Sequence, residues 1–345
     1  MFAPLPSIRS RWASPAINGV YAALGSAFFL GMAPIFGRQA ILLGMAPLTV
    51  VAIRTALAAL LLSVVIVLFY RSYVFIYPAG LLGCMLAGWI NGLGSLFYYS
   101  ALGRIEAGLG QLLYSLYPLF LVLWLSLDKQ PPTRLTVIRL GLAVPAIFLL
   151  VQVNQGETID LVGVFFMLVA SALYALHLPF NQRVLYDMPA PTVTLYTLIA
   201  MSTIVVPVFL LTRFIDIPVF INYTSVSGDI SNTTTNLGYQ NWWPIVGLTL
   251  VTFLSRLTLF FGVKHLGGMQ TALLGLGELL VTLIFAHWLL GESYTTQQWI
   301  GAGLLVHSLA LVGLEKPPGR RQGAGGFLSW IGSSHLTSEG WQPND

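Results

Sequence analysis

Long apolar runs separated by short polar segments dominate the sequence from about residue 17 to residue 315. A helix needs about 20 mainly apolar residues to cross the hydrocarbon core of a bilayer, and ten runs reach about that length. The predicted spans are residues 17–36, 47–69, 79–101, 108–127, 134–153, 161–180, 192–213, 243–263, 268–290 and 297–315. These runs are too long and continuous for barrel strands, so the predicted fold class is an all-α polytopic membrane protein.

The composition supports this class and narrows the set of partners. Of 345 residues, 56% are apolar and only 8% are charged, whereas about 25% of the residues are charged in ordinary globular proteins. The 16 Lys and Arg residues are scattered along the chain rather than clustered, which argues against a nucleic-acid partner. We therefore expect the lipid bilayer and a small-molecule substrate as partners, and no cofactor or bound metal. The sequence leaves the oligomeric state open.

The distribution of basic residues predicts the orientation. When the loops are assigned alternately to the two sides, one side receives Arg9, Arg11, Arg71, Lys129, Arg134, Arg183, Lys264, Lys316, Arg320 and Arg321. The other side receives Arg38, Arg104 and Arg213. Lys and Arg accumulate in cytoplasmic loops, so we expect both termini in the cytoplasm and the protein in the cytoplasmic membrane.

The chain also resembles itself at two offsets, and the 16-residue difference between them matches the enlarged loop 214–242. Chance alignment of leucine-rich segments is the alternative, but two separate blocks agree in spacing. An offset of 144 residues superimposes Gly19 on Gly163, Leu24 on Leu168 and Ala46-Pro47 on Ala190-Pro191. An offset of 160 residues superimposes Arg104 on Lys264, Leu113 on Leu273, Leu116 on Leu276 and Gly141 on Gly301.

Each half holds five spans, so the second half enters the membrane in the opposite orientation. Two inverted five-helix repeats are a common construction of secondary transporters. The predicted organisation is a cytoplasmic N-terminal segment (1–16), a first repeat (17–153) and a second repeat (161–315) that contains a polar outer loop (214–242). A disordered cytoplasmic tail (316–345) follows.

The segment Gly277–Glu292, GELLVTLIFAHWLLGE, is similar to a motif of the EamA-type ten-helix carriers in the drug/metabolite transporter superfamily. Glu278, Gly291, Glu292 and Gly301 occupy the family's positions, while Leu279 stands where the family usually has proline. This resemblance, over residues 17–315, implies a transporter built from two EamA-like repeats.

Four charged residues lie within the predicted spans: Arg54, Arg139, Arg256 and Glu278. Each charge at this depth needs a partner, a watery cavity or a route to the interface. We expect Arg139 to snorkel from its span to the interface. Arg256 fits either snorkelling or cavity lining, and Arg54 either pairs with a carboxylate or binds a substrate anion.

Glu278 falls almost at the midpoint of the ninth predicted span, where its side chain cannot reach either interface. Thr271, Gly275 and Thr282 lie on the same helical face and complete a polar stripe. The functional interpretation is a substrate-binding or proton-binding carboxylate. The structural interpretation is an ion pair or a hydrogen bond that holds the ninth helix in place.

Further polar side chains follow helical spacing and are predicted to line the same chamber, although polar contacts between helices explain such stripes equally well. Gly88 and Gly92 indicate a close helix contact. The remaining binding or coupling candidates are Asn91, Tyr98, Gln111, Tyr114, Tyr174 and His307.

The sequence contains no phosphate-binding GxxxxGK[ST] loop, no HExxH motif and no Asp within the predicted spans. Direct ATP drive and intramembrane proteolysis are therefore not expected, and we predict that the protein is not an enzyme. The predicted function is secondary-active transport of a small metabolite or drug-like solute, with export by alternating access around a central cavity. The alternatives are a flippase for lipid-linked substrates and a non-transporting scaffold or receptor.

Overall fold

The computed structural model describes residues 15–43, 45–102, 104–105, 110, 113–150, 160–214, 242–290, 295–311 and 326–328. Almost all of the predicted N-terminal segment (1–16), of the predicted outer loop (214–242) and of the predicted tail (316–345) lies outside these residues. The regular structure of the described part is helical, which confirms the predicted fold class. The elements are α1 (Pro15–Leu42), α2 (Pro47–Phe69), a 3-10 turn (Arg71–Val74), α3 (Pro78–Leu102), α4 (Tyr117–Leu127), α5 (Arg134–Leu150), α6 (Leu161–Leu185), α7 (Ala190–Phe214), α8 (Trp243–Leu266), α9 (Gly268–Gly275), α10 (Gly277–Leu290) and α11 (Thr296–Ala310).

Six helices of the described part are long and apolar enough to cross a membrane. These spans are Ile17–Gly37, Leu48–Phe69, Pro78–Ala101, Leu161–Leu185, Ala190–Thr212 and Trp243–Leu266. Each of the ten predicted spans overlaps at least one helix, and the ninth is formed by α9 and α10 together.

Two helices continue beyond the predicted ends because polar residues interrupt the apolar runs without interrupting the helices. α6 extends to Leu185, and its last turns carry Asn181, Gln182 and Arg183, all of which are buried. These polar side chains find protein partners there, so hydropathy alone ends the helix too early. α1 likewise continues past Arg38 to Leu42.

Helix packing follows the two repeats. α1 packs along α8, and its counterpart in the second repeat, α6, packs along α3, the counterpart of α8. Similarly, α3 contacts α7 and α8 contacts α2, while α5 packs against α11. Each of these pairs joins one helix from each half. The packing therefore has the approximate twofold symmetry expected of two repeats.

The fourth and ninth spans are interrupted at equivalent positions. Leu119 N–H donates to the Leu116 carbonyl at 2.9 Å, three residues back, and α4 begins at the next residue after Leu116. The same bond recurs 160 residues later, where Leu279 N–H donates to the Leu276 carbonyl at 3.1 Å between α9 and α10. The offset found in the sequence thus corresponds to a shared structural feature, a local break in each span.

Glycines permit close contact between α3 and α7. A Cβ at Gly88 would lie 2.5 Å from the Thr197 carbonyl oxygen and 2.6 Å from the Ala200 Cβ. At Gly92 the nearest atom would be the Met201 carbonyl oxygen at 3.2 Å. The structure therefore confirms the close helix contact predicted from these two glycines.

Arg139 is fully buried, so the prediction that it snorkels to the interface is wrong. Its Nε donates to the Ser308 carbonyl at 3.1 Å, and Nη1 donates to Gln270 Oε1. Ser308 Oγ in turn donates to the Arg139 carbonyl at 2.8 Å. These bonds connect α5, α9 and α11 and hold the guanidinium inside the protein through Nε and Nη1.

Asp160 caps the first turn of α6 at the edge of the bundle. Its Oδ1 accepts from Val162 N–H at 2.8 Å, and Oδ2 lies 3.3 Å from Nη1 of Arg104. The Val162 N–H and the Arg104 side chain lower the pKa of Asp160. The carboxylate therefore remains charged at neutral pH and stabilises the helix N-terminus.

Candidate functional site

Glu278 and Arg256 lie at the same depth in the bundle. Glu278 is ten residues beyond the start of the ninth span at Gly268, and Arg256 is ten residues before the end of α8 at Leu266. The start of the ninth span and the end of α8 lie on the same face of the protein. At about 1.5 Å of helical rise per residue, each side chain is about 15 Å from that face, which is half the thickness of a bilayer core. The two side chains interact electrostatically. A carboxylate and a guanidinium therefore occupy the middle of the protein.

Arg256 is buried and held by two neighbouring helices. Asn91 on α3, with its amide oxygen turned to the guanidinium, accepts from Nη2 at 3.1 Å and from Nη1 at 3.3 Å. The Arg256 guanidinium carbon also lies 5.9 Å from the ring centroid of Tyr174 on α6. Only 8% of Arg256 is exposed. The guanidinium is thus held inside the protein, and it does not snorkel to the interface.

Four tyrosines form a connected group of rings that reaches Arg256 through Tyr174. We call this group the tyrosine cluster: Tyr98, Tyr114, Tyr117 and Tyr174. Ring centroids are 4.8 Å apart for Tyr98 and Tyr114, 5.3 Å for Tyr114 and Tyr174, and 4.9 Å for Tyr117 and Tyr174. All four interact electrostatically with Glu278. The cluster combines residues of both repeats, so it is a shared site rather than a property of one half.

Tyr117 connects the two interrupted spans. Its hydroxyl donates to the Ala272 carbonyl on α9 at 2.6 Å, close to where that helix ends. A Cβ at Gly275 would lie 2.6 Å from the same hydroxyl, so glycine at this position is needed for the contact. Glu278 stands in the first turn of α10, where the helix dipole favours a negative charge. Both breaks therefore contribute directly to the site.

His177 lies one turn beyond Tyr174 and is fully buried. Its Nδ1 donates to the Tyr174 carbonyl, which fixes Nε2 as the hydrogen-bond acceptor of the neutral ring. Nε2 is buried and has no hydrogen-bond partner among the described residues. The ring centroids of His177 and Tyr174 are 4.8 Å apart. An unoccupied acceptor therefore adjoins the tyrosine cluster.

Arg54 on α2 reaches the site from the side. Its guanidinium carbon lies 5.3 Å from the ring centroid of Tyr99, whose ring is 5.3 Å from that of Tyr98. Tyr98 interacts electrostatically with both Arg54 and Glu278. Arg54 thus adjoins the tyrosine cluster without contacting Glu278.

The remaining predicted site residues are placed differently. Thr271 donates to the Gly267 carbonyl at 2.9 Å, and Thr282 donates to the carbonyls of Gly31 at 3.0 Å and Glu278 at 2.9 Å. Both hydroxyls therefore stabilise helices. His307 is exposed on α11 and is not brought to the cluster. Gln111 lies outside the described residues.

Sequence reasoning did not select Tyr117 or His177 as candidates. Each lies three residues after a selected tyrosine, Tyr114 or Tyr174, and so follows helical spacing. Tyr117 also aligns with Gly277 at the 160-residue offset, next to Glu278. These two signals together were sufficient to find it.

A separate apolar cavity of about 230 Å³ lies between α1, α8 and α10. Phe285, two turns beyond Glu278 on α10, contributes to its wall. The lining residues are Met32, Ile35, Phe36, Gln39, Trp243 and Phe285. None of these residues belongs to the polar site. The cavity is therefore separate from the place where the charged and hydroxyl groups meet.

Chemically, the site offers a carboxylate, two guanidinium groups, hydroxyls and aromatic faces at mid-membrane depth. Such a set binds a small solute through charge pairing, hydrogen bonds and ring contacts. The Glu278 carboxylate is also a group that can exchange a proton when water reaches it.

Comparisons with known proteins agree with this architecture. A search of curated proteins gave no match. Among solved structures, a protein chain described only as "Crystal structure of protein" is similar, with a TM-score of 0.66 and 13% sequence identity; the match covers 86% of this chain and 96% of that chain. At this identity the likeness shows the fold alone.

The family model of the EamA-like transporter family matches the chain twice, over residues 17–152 and 161–314. The two matches coincide with the two halves whose packing is symmetric and whose fourth spans are both interrupted. The chain therefore belongs to the EamA-like transporter family and is a multi-pass membrane protein with two repeats.

Proposed function

We propose that this transporter of small solutes is a secondary-active exporter whose substrate binds between the two repeats, beside Glu278. The observation that carries the proposal is the position of Glu278. It lies at the restart of a broken span and at half depth, where it interacts electrostatically with Arg256 and with tyrosines of both halves. Transporter sites are commonly built from discontinuous helices at the interface between repeats.

The symmetric packing supports an alternating-access mechanism. α1 with α8 and α3 with α6 are equivalent pairs, and each joins the two halves. A rocking motion of one pair relative to the other exchanges their roles and opens the site to the opposite face. The breaks at Leu116 and Leu276 are the proposed hinges. At each break a hydrogen bond to the carbonyl three residues back interrupts the regular α-helical pattern of bonds four residues back.

The orientation also belongs to the proposal. Ten basic residues on one side and three on the other support cytoplasmic termini in the cytoplasmic membrane. Glu278 then lies about 15 Å from the cytoplasmic face. A carboxylate there can couple solute movement to a proton gradient, because it contacts the solute site and exchanges protons with whichever side is open.

Reconstitution tests this function. Purified protein in proteoliposomes is loaded with a panel of amino acids, aromatic acids and amines, and efflux is measured with and without an imposed pH gradient. We expect saturable efflux that accelerates when the same solute is present outside. Movement of only a lipid-linked analogue would assign the protein as a flippase, and no movement of any compound would favour a scaffold or receptor; either result contradicts the proposal.

A further inference from the structure

The charges around the site do not balance. Two guanidinium groups adjoin the tyrosine cluster: Arg256 lies 5.9 Å from the ring of Tyr174, and Arg54 lies 5.3 Å from the ring of Tyr99, the neighbour of Tyr98. Glu278 supplies one carboxylate. In the described part of the chain, neither arginine forms an ion pair. The arginines that do form ion pairs, Arg104 and Arg183, lie elsewhere. The site therefore carries one positive charge more than its own carboxylate neutralises, at a depth where an unpaired charge is costly.

Two buried atoms beside the cluster also lack partners. Arg54 Nε is a buried donor and His177 Nε2 a buried acceptor, and neither has a hydrogen-bond partner among the described residues. Leaving a buried polar group unsatisfied is unfavourable, and more so for a charged group. A ligand with an acceptor oxygen satisfies the arginine, and a ligand N–H or O–H satisfies the histidine.

We propose that the substrate is a small organic anion, whose negative group neutralises Arg54 and Arg256 while the tyrosine rings contact its body. This inference rests on the proposed transport function and adds the charge of the solute. Carboxylate and phosphate satisfy the arginines by the same chemistry, through charge-assisted hydrogen bonds. A cation without an acidic group is excluded as the preferred substrate, since it adds to the positive charge.

A matched set of probes tests the sign of the charge. Binding of 3-phenylpropanoate, phenylalanine, phenyl phosphate and phenethylamine to the purified protein is measured by isothermal calorimetry. We expect the three acids to bind and phenethylamine to bind about 100-fold more weakly, because charged hydrogen bonds contribute about 1.5–3 kcal/mol. The affinity of phenyl phosphate relative to that of 3-phenylpropanoate shows whether the site prefers a phosphate or a carboxylate.

Variants tie this preference to the two arginines. Arg54→Gln and Arg256→Gln are each expected to weaken binding of 3-phenylpropanoate about ten-fold, and the Lys variants to retain part of it. Arg71→Gln is the matched control, since Arg71 is exposed and its Nε donates to the Val67 carbonyl at 3.0 Å. Equal binding of phenethylamine and the acids, or unchanged affinity in both Gln variants, would overturn the anion assignment. Saturable transport of phenethylamine would then leave the transport function standing.

An independent observation concerns the C-terminal tail, where residues 326–328 are ordered although the sequence predicts disorder for 316–345. Leu328 N–H donates to Asp128 Oδ1 at 3.1 Å, and its side chain is 1% exposed within the main apolar core. A Cβ at Gly326 would lie 2.2 Å from the same Asp128 oxygen, so the close approach requires glycine. Residues 326–328 thus dock beside Asp128, which is 200 residues from Leu328 in the sequence.

Asp128 is the centre of a buried polar network. Its Oδ2 accepts from Arg183 Nη2 at 2.7 Å and from Gln130 Nε2 at 2.9 Å. Gln182 donates to Gln130 Oε1 at 3.1 Å, and its own Oε1 accepts from Gly268 N–H at 2.7 Å. The network joins the end of α4, the end of α6 and the start of α9. All three helix ends lie on one face of the protein. α4 and α9 belong to the two interrupted spans, and α6 carries the site residues Tyr174 and His177.

We infer that residues 326–328 are a latch that holds this face of the protein closed. Opening toward this face, predicted to be cytoplasmic, separates the ends of α4, α6 and α9. Leu328 fills the space beside Asp128, so it must leave before those ends separate. Undocking of the tail therefore precedes access to the site from this side.

Cysteine accessibility tests the latch. In a Cys84→Ala background, Ala272→Cys places a reporter on α9 between this face and Glu278, and its alkylation by a membrane-impermeant maleimide is followed in inside-out vesicles. Leu328→Asp is expected to raise the alkylation rate about ten-fold. The variant loses the free energy of one buried leucine side chain, so the open state becomes about ten-fold more populated. Phe327→Asp, at a neighbouring residue that is 44% exposed, is expected to leave the rate unchanged.

Truncation after residue 321 is a second test that introduces no buried charge, and it is expected to match Leu328→Asp. Thermal unfolding of each variant establishes that the protein is folded. Equal alkylation rates in wild type, Leu328→Asp and the truncated chain would overturn the latch.

Discussion

Replacing Glu278 by glutamine is expected to lower solute efflux about 100-fold while the protein remains folded. The amide keeps the size of the side chain but removes the charge that interacts with Arg256 and with the tyrosine cluster. Hydrogen bonds to charged groups contribute about 1.5–3 kcal/mol, which corresponds to a factor of up to about 100. Efflux from proteoliposomes is the measurement, at several pH values, and the remaining flux should no longer depend on pH.

The matched control is Asp160→Asn, which makes the same chemical change at the edge of the bundle. Asparagine also caps helices, so α6 should keep its N-terminus and transport should be unchanged. Wild-type efflux with the wild-type pH dependence in Glu278→Gln would show that the carboxylate is structural. The structure gives this alternative little support, because in the described part of the chain Glu278 forms no ion pair within 4.0 Å.

Asp128→Ala is expected to give the largest loss of folding stability, about 3–5 kcal/mol in the free energy of unfolding. The substitution leaves Arg183 buried without its carboxylate, and the pair is almost completely inaccessible, with side-chain exposures of 0% for Asp128 and 7% for Arg183. It also removes the acceptor of Gln130 and of Leu328 N–H. The measurement is equilibrium unfolding in detergent or bicelles.

Arg104→Gln provides the comparison because it breaks an ion pair in an accessible place. Side-chain exposures of 20% for Arg104 and 35% for Asp160 predict a loss much smaller than that of Asp128→Ala, because water screens an accessible ion pair. The double variant Asp128→Leu with Arg183→Met should recover much of the stability that Asp128→Ala loses, since it leaves no buried charge unpaired. If Asp128→Ala and Arg104→Gln cost the same, the buried network is not a major source of stability.

The sequence predicted those parts of the fold that depend on hydropathy and on repetition. Ten apolar runs identified the spans, and the 160-residue offset placed Leu116 on Leu276, the two positions where spans are interrupted. The interruption itself was not predicted, because apolar residues continue through both positions and the hydropathy stays high. Pro118, two residues after Leu116, and Gly275 and Gly277, on either side of Leu276, were the local signals that accompany the two breaks. A local change from four-residue to three-residue hydrogen bonds leaves no hydropathy signal.

The arginines show why side-chain roles needed the structure. Arg139 and Arg256 each lie a few turns from a helix end, so both are candidates for snorkelling by distance alone. The structure instead gives each a partner, Gln270 for Arg139 and Asn91 for Arg256. Those partners lie more than a hundred residues away in the sequence, and periodicity identifies the face of one helix but not the residues opposite it.

The central claim is that the cluster around Glu278 is reached by water and solute from each side of the membrane in turn. Tyr98→Cys in the Cys84→Ala background tests it directly, because Tyr98 lies in that cluster and neighbours both Arg54 and Glu278 electrostatically. Impermeant maleimide is applied from one face and then from the other, with and without a transported solute. We expect labelling from both faces. The transported solute should slow the labelling at one face and speed it at the other. A cysteine that only a lipid-soluble reagent labels would contradict it.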